Sequence, residues 1–298
     1  MLCSATYLDD YVNKYDSHFH WKLSDKTLSG MSAFNSNYTA YLLDMTSQKW
    51  LDTSFIDRPI WKHAMAIIVP GELRFKDTAF LYIGMGWNGY ESHDWDNEEF
   101  TLATQVAEET GMIGAVVLNV PNEVIRFRDE YFQEKRSEDE LVAKTWRMFL
   151  DDPSLNEVPL LLPMVKSVVR AMDTVQEFSR EHLDLGISGF AISGSSKRGW
   201  TTWLTAAVDK RVVAFCPIVF SMINIMENMH HYYRSYGGWP EAFAPYYNEG
   251  ITKFIGNNPE RLAEIFEVID PYAFRERLSM PKLLMQSTND EFFMVDDF

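Results

Sequence analysis

From about Lys62 onward, short apolar runs alternate with segments of helical periodicity. That alternation predicts an α/β fold with a mostly parallel sheet covered by helices. Two further observations support the prediction. IGAVVLNVP, Ile113 to Pro121, is a continuous apolar run of the kind shown by a strand covered on both faces. FAISGSSKRGWTTW, Phe190 to Trp203, passes from a strand pattern through a tight Gly/Ser turn into a helical pattern. The chain has 298 residues, 46% of them hydrophobic, enough for one large or two ordinary domains.

Residues 1–61 are polar and aromatic, with a strand expected at Tyr38 to Met45, and read as an N-terminal extension packed on the main domain. The main domain spans 62–298. MAIIVP (Met65 to Pro70) and AFLYIG (Ala79 to Gly84) flank the turn-like GELRFKD and are expected to pair as neighbouring strands. EEFTLATQVAEET, Glu98 to Thr110, predicts a helix with Gly111 as its C-cap. A helical region from Ser137 to His182 is expected to break near Pro153 and again near Pro159 or Pro163. ISGFAIS (Ile187 to Ser193) predicts a strand and RGWTTWLTAAV the following helix. VVAFCPIVF (Val212 to Phe220) and KLLMQST (Lys282 to Thr288) complete the strands. The stretch from Ser221 to Met280 is too long for a simple crossover, so residues 221–280 read as an inserted helical cap. There is no internal repeat and no low-complexity segment.

The net charge of −16 argues against nucleic acid or an anionic membrane surface as partner, because phosphate would be repelled. No run approaches the roughly 18 apolar residues of a membrane span. Cys3 and Cys216 are far apart and lack metal-ligand or redox spacing. The opening MLCSATYLDDYV has no basic and apolar signal-peptide pattern. One sequon, Asn37-Tyr38-Thr39, would matter only in a secreted eukaryotic protein.

FLYIGMGWNG, Phe80 to Gly89, contains G-x-G-x-x-G after an apolar run. A dinucleotide site would need a helix opening on the last glycine, but helical pattern begins only near Glu98. Five carboxylates between Glu91 and Glu99 would also repel a pyrophosphate. No cofactor is therefore expected. The strand-turn-helix at Gly194-Ser195-Ser196-Lys197-Arg198-Gly199 suits the nucleophile elbow of an α/β-hydrolase, with Ser196 as nucleophile and Gly194 where a side chain would collide. Arg198 departs from G-x-S-x-G, whose second glycine here comes one residue later. A plain serine-capped helix start would explain the same residues. Asp290, after the last expected strand, has the place of a triad acid; as part of an Asn-Asp pair it would also serve as a turn residue. In this fold an oxyanion hole takes one N–H from the residue after the nucleophile, here Lys197, and another from the loop after an early strand. The Gly84–Gly89 loop, with Gly86 and Trp87, occupies that place.

LDDYV (Leu8 to Val12), TSQKW (Thr46 to Trp50), RPIWKH (Arg58 to His63), LLPMVKSVVRAMD (Leu161 to Asp173), SGSSKRGWTTWLTAAVDKRV (Ser193 to Val212), HHYYRSYGGW (His230 to Trp239) and PKLLMQSTNDEFF (Pro281 to Phe293) follow one another along nearly the whole chain. On these pieces the chain resembles the PhoPQ-activated pathogenicity-related protein family, which includes autocrine proliferation repressor-like proteins. The resemblance makes Arg198 part of that family's own elbow. It implies an α/β-hydrolase fold related to serine peptidases and esterases, in members generally exported to an extracellular or periplasmic location. The repressor-like branch implies signalling, with a cell-surface receptor as partner, instead of or beside catalysis.

A triad also needs a histidine, which in this fold follows the acid. All seven histidines precede Asp290, so the histidine and the final strand are expected beyond Phe298, in a C-terminally truncated chain. His230, His231 and Tyr236 are candidates for lining a substrate cleft, though an aromatic lid core would use the same residues. Arg198 and Lys197 would suit a substrate carboxylate, or pair with nearby acids. His93, Asp94 and Asp96 have metal-ligand chemistry but read better as a solvated acidic loop, so no metal is expected. The sequence therefore supports a serine hydrolase acting on an ester or peptide bond of a small molecule or peptide. A secreted signalling or binding protein on the same scaffold is the alternative.

Overall fold

A computed structural model of the chain describes residues 6–31, 37–88, 95–132 and 134–297. Seven strands form one sheet: β1 (His20–Met31), β2 (Asn37–Lys49), β3 (Ile60–Pro70), β4 (Thr78–Ile83), β5 (Ile113–Val117), β6 (Gly189–Ser195) and β7 (Val212–Ile218). Their order is β1-β2-β3-β5-β4-β6-β7. The pairs from β1 to β5 are antiparallel, and β5, β4, β6 and β7 run parallel. The helices are α1 (Tyr7–Asn13), α2 (Glu98–Thr110), α3 (Glu138–Asp151), α4 (Leu161–Leu183), α5 (Lys197–Val208), α6 (Ile225–Tyr236), α7 (Ala244–Asn248), α8 (Ile251–Asn257) and α9 (Pro259–Ile269).

Alternation along the strands divides the apolar side chains between two cores. Ala79, Leu81 and Ile83 join Met65, Ile67, Ile113, Ala115 and Val117 on the face covered by α3, α4 and α5. Phe80 and Tyr82 join Ala66, Ile68, Val116 and Leu118 beneath α2. All five residues of β5 are buried, which explains its unbroken apolar run. Gly114 lets α2 approach closely, since a Cβ there would stand 2.8 Å from the Ala103 carbonyl oxygen. The α2 boundaries are fixed chemically. Asn97 Oδ1 accepts the Phe100 N–H at 2.8 Å, and Gly111 closes the helix at φ 72°. The break between α3 and α4 covers residues 152–160, and Pro163 is tolerated within the first turn of α4.

Three expectations differ from the fold. β3 and β4 are not neighbours, because β5 lies between them. The segment after β3 bonds elsewhere and makes no hairpin: Gly71 N–H donates to Asn37, and Arg74 and Phe75 N–H both donate to the Gly111 carbonyl. Residues 20–49 contribute two full strands to the main sheet, including β1, whose polar sequence hid it. Lys282 to Thr288 runs beside β7 as two isolated parallel bridges, at Lys282 and Met285, without a regular ladder. Leu283 and Met285 remain 62% and 48% exposed, so no covered face enforces a strand there.

The antiparallel half is tied to α4 by a buried polar network. His63 Nδ1 donates to the Leu118 carbonyl at 3.0 Å, leaving Nε2 to accept from Ser47 Oγ at 2.9 Å. Ser47 also meets Ser167 Oγ at 3.0 Å, and Gln48 bonds Ser167, the Pro163 carbonyl and the Tyr11 hydroxyl. Burial holds the His63 ring neutral, with its pKa lowered to about 4 from 6.5. Folding therefore gains stability from this ring above pH 6.5 and loses it as pH falls through about 4. The loss should approach 3 kcal/mol. Urea unfolding at pH 7.5 and pH 4 should show His63→Gln losing less stability on acidification than the unaltered protein.

Candidate active site

β6 carries the chain up the middle of the parallel sheet, and α5 starts at once behind it. Between them Ser196 has φ 56° and ψ −125°, a conformation sparsely populated by side-chain-bearing residues and costing about 1–3 kcal/mol. Its N–H donates to the Ile218 carbonyl at 2.9 Å, and its carbonyl accepts from Trp200 at 3.0 Å. Both flanking glycines are sterically required. A Cβ on Gly194 would lie 2.8 Å from Arg198 Cβ; one on Gly199 would lie 2.9 Å from the Ile218 oxygen. The second glycine thus comes one residue late because position 199, and not 198, presses against the end of β7.

Lys197 and Arg198 put two cations on the first turn of α5, the positive end of the helix. Both are nearly buried and both are answered by the first turn of α3. Arg198 holds Glu138 through two bonds of 2.6 and 2.9 Å. Lys197 Nζ lies 2.7 Å from Asp139 and 2.9 Å from Glu138. The Glu138 N–H donates in turn to Glu123 Oε2 at 2.7 Å, and the Tyr246 hydroxyl donates to Asp139 at 2.9 Å. Burial raises the pKa of Glu123, and the neighbouring Glu138 carboxylate adds to that rise. Glu138 is itself opposed by burial, yet Arg198 and Lys197 hold its pKa well below the usual range. Glu123 is thus the protonated member of the pair and Glu138 the charged one. The Arg198 fork is taken up by Glu138, which is the pairing with a nearby acid that the sequence left open beside a substrate carboxylate.

Ile83 on β4 pairs with Gly194 on β6, so the loop from Gly84 to Asn88 emerges beside the elbow. It is stitched to the Leu118–Glu123 segment by Val120 N–H to the Gly84 carbonyl (3.2 Å), Asn119 N–H to the Met85 carbonyl (3.3 Å) and Asn88 N–H to the Glu123 carbonyl. Gly86 packs on this segment, where a Cβ would stand 3.0 Å from Asn119 N. Among the described residues, no hydrogen bond uses the backbone N–H of Gly86, Trp87 or Lys197. Gly89, His93 and Asp94 lie outside the described residues.

Ser196 and Lys197 border a small apolar cavity of about 40 Å³, walled by Trp146, Trp200 and Phe220 and roofed by Met229, Phe243 and Tyr246. The roof comes from the 221–280 stretch, whose start is fastened by Asp270 accepting the Asn224 and Ile225 N–H groups at 3.0 and 2.7 Å. Phe292 and Phe293 complete the wall, with Phe293 edge-on to Phe220 at 5.2 Å. Asp290 heads this loop. One of its oxygens accepts the Phe292 and Phe293 N–H groups at 2.8 and 3.0 Å, so it fixes the turn that carries both rings. His230, His231 and Tyr236 are not among the lining residues. α6 turns Ile225 and Met229 toward the cavity, leaving His230 and His231 on other sides, with His231 facing Asp296 at 3.3 Å. Tyr236 shares the face of Ile225 and Met229 but lies at the far end of the helix, beyond the cavity, stacked on Tyr232.

Sequence reasoning missed Glu123, Glu138, Asp139 and Tyr246. The available signal was the pairing of two cations at one helix start with two acids, Glu138-Asp139, at another.

The profile of a family described as PhoPQ-activated pathogenicity-related protein matches residues 8–298. Autocrine proliferation repressor protein A of Dictyostelium discoideum is 36% identical over 296 residues, 98% of this chain and 56% of that protein. The chain therefore spans about half the length of that relative. Among solved structures, an acetyl xylan esterase from Paenibacillus sp. R4 superposes with a TM-score of 0.56 at 15% identity, over 96% of this chain and 87% of that one. Acetyl Xylan Esterase 1 from Thermoanaerobacterium sp. JW/SL YS485 gives 0.50 at 13% identity, over 97% and 88%. At these identities the likeness is one of fold, that of the α/β-hydrolases.

Removing one partner of the Glu138 pair strands a buried guanidinium. Glu138→Ala should therefore cost about 3 kcal/mol in denaturant unfolding. Glu123 has the opposite sign. Its raised pKa, about 8, gives stability that is present below pH 4.5 and is lost as pH rises from there through about 8, so Glu123→Gln should flatten the decline in urea-unfolding stability across that window.

Proposed function

The chain belongs to the PhoPQ-activated pathogenicity-related protein family, and on that premise we propose that it carries the nucleophile of a serine hydrolase acting on an ester or peptide bond. The observation that carries this reading is the backbone of Ser196, held at φ 56° on a strand-to-helix turn between two sterically required glycines. A mere helix cap needs none of that strain. In the proposed reaction Ser196 Oγ attacks the carbonyl carbon as its proton passes to a histidine. The N–H groups of Lys197, Gly86 and Trp87 take the oxyanion. Collapse of the tetrahedral species expels the leaving group, which takes the histidine's proton, and water then releases the acyl group from Ser196.

Asp290 is assigned the role of orienting the histidine. Among the described histidines, His63 is committed to Ser47 and Leu118, and His231 faces Asp296. The reading assigns the proton acceptor to a longer protein, of which the chain would be one part. The apolar cavity beside Ser196 has room for only a few non-hydrogen atoms, which favours a short acyl group. We place the inserted cap at 221–280 and the protein outside the cytoplasm. Among the described residues no helix is long and apolar enough to cross a membrane.

One observation favours a second reading. The relative at 36% identity is named a proliferation repressor, and a secreted protein that binds a cell-surface receptor would keep this scaffold without turnover. Fluorophosphonate labelling separates the two. The chain extended through its natural continuation should label, Ser196→Ala should not, and the 298-residue form should react about a hundredfold or more slowly. A folded extended chain that fails to label removes the hydrolase and leaves the binding protein.

A further inference from the structure

A second cavity opens at the same end of the sheet as Ser196, over β1, β2 and β3. It has a volume of about 710 Å³, large enough for an oligomeric ligand. Strand register explains its lining. His20, Thr46 and Lys62 lie abreast across the three strands, and Lys22, Asp44 and Ala64 form the next row on the same face. Arg58 adds a third permanent cation, and Asp44 is the one acid among the lining residues. None of Lys22, Arg58 and Lys62 has an ion-pair partner among the described residues. In a chain of net charge −16 this is an inversion of local sign. The far wall is Trp87, 39% exposed, with the Asn88 and Asn119 side chains beside it. Trp87 also belongs to the loop that the pairing of Ile83 with Gly194 sets next to the elbow.

We propose that this groove binds the distal part of the substrate, and that this part is a short carboxylate-bearing oligosaccharide. The cations suit carboxylates, and the indole face suits a sugar ring. A long polyanion would meet the repulsion of the whole chain, whereas a short one seated in the groove meets three cations against one acid, Asp44. The proposal rests on the hydrolase reading for its link to Ser196, but the binding itself does not need turnover.

The test is calorimetric titration of the full-length protein carrying Ser196→Ala with tetragalacturonate and with the same oligomer fully methyl-esterified. The acid form should bind at least about fivefold more tightly, and Lys22→Gln/Lys62→Gln should remove that preference. Trp87→Ala should weaken both forms. The exposed pair Lys26→Gln/Lys76→Gln should change neither. Equal binding of the two oligomers, no binding of either, or an acid preference that survives Lys22→Gln/Lys62→Gln would overturn the proposal. So would tighter binding of a hexaglutamate peptide, which would make the groove a peptide site. Fluorophosphonate labelling of the unaltered serine is scored separately. A protein that binds without labelling keeps the groove and loses the hydrolase; one that labels without binding does the reverse.

Discussion

The arrangement around Ser196 depends on one electrostatic problem and its solution. Two cations begin α5, where the aligned peptide dipoles already present positive charge, and both side chains are withdrawn from water. Such a helix start is tenable only if negative charge is delivered to it. The first turn of α3 delivers Glu138 and Asp139. Two helices that are 58 residues apart at these contacts are thereby fixed end to end. Glu123, which is neutral, adds an acceptor for the Glu138 N–H without adding a third negative charge. The strained serine is thus gripped from behind as well as from the sheet, which is how an unfavourable backbone conformation persists.

The sheet supplies the other half of the constraint. β6 lies between β4 and β7, so the elbow has a loop on each flank: Gly84–Asn88 on one side and the end of β7 on the other. The antiparallel strands β1 to β3 extend the same sheet and carry the cationic rows away from the elbow. A single register therefore sets the distance from nucleophile to groove, and no domain hinge lies between them in the sheet.

Much of this was legible from sequence because the local signals agreed with the tertiary context. β5 declared itself by its apolar run, α2 by its helical spacing and Gly111, and the elbow by Gly194 and Ser196. What stayed hidden was non-local. β1 reads as polar because its exposed face carries His20 and Lys22, and only pairing with β2 makes it a strand. The neighbours of β4 depend on a crossover through α2, which adjacency in sequence does not reveal. Glu138 and Asp139 look like ordinary helix-opening acids until α5 is set against them. The places of His230 and His231 turned on helix phase, since Ile225 and Met229 are the α6 residues that face the cavity, and that of Tyr236 on its distance along the helix.

Tyr246 belongs to two systems at once. Its ring roofs the cavity at Ser196, and its hydroxyl holds the Asp139 carboxylate that neutralises Lys197. One side chain therefore joins the apolar wall of the cavity to the charge balance at the root of α5, so a change in the packing of the roof and a change in the pairing of Lys197 meet at the same phenol.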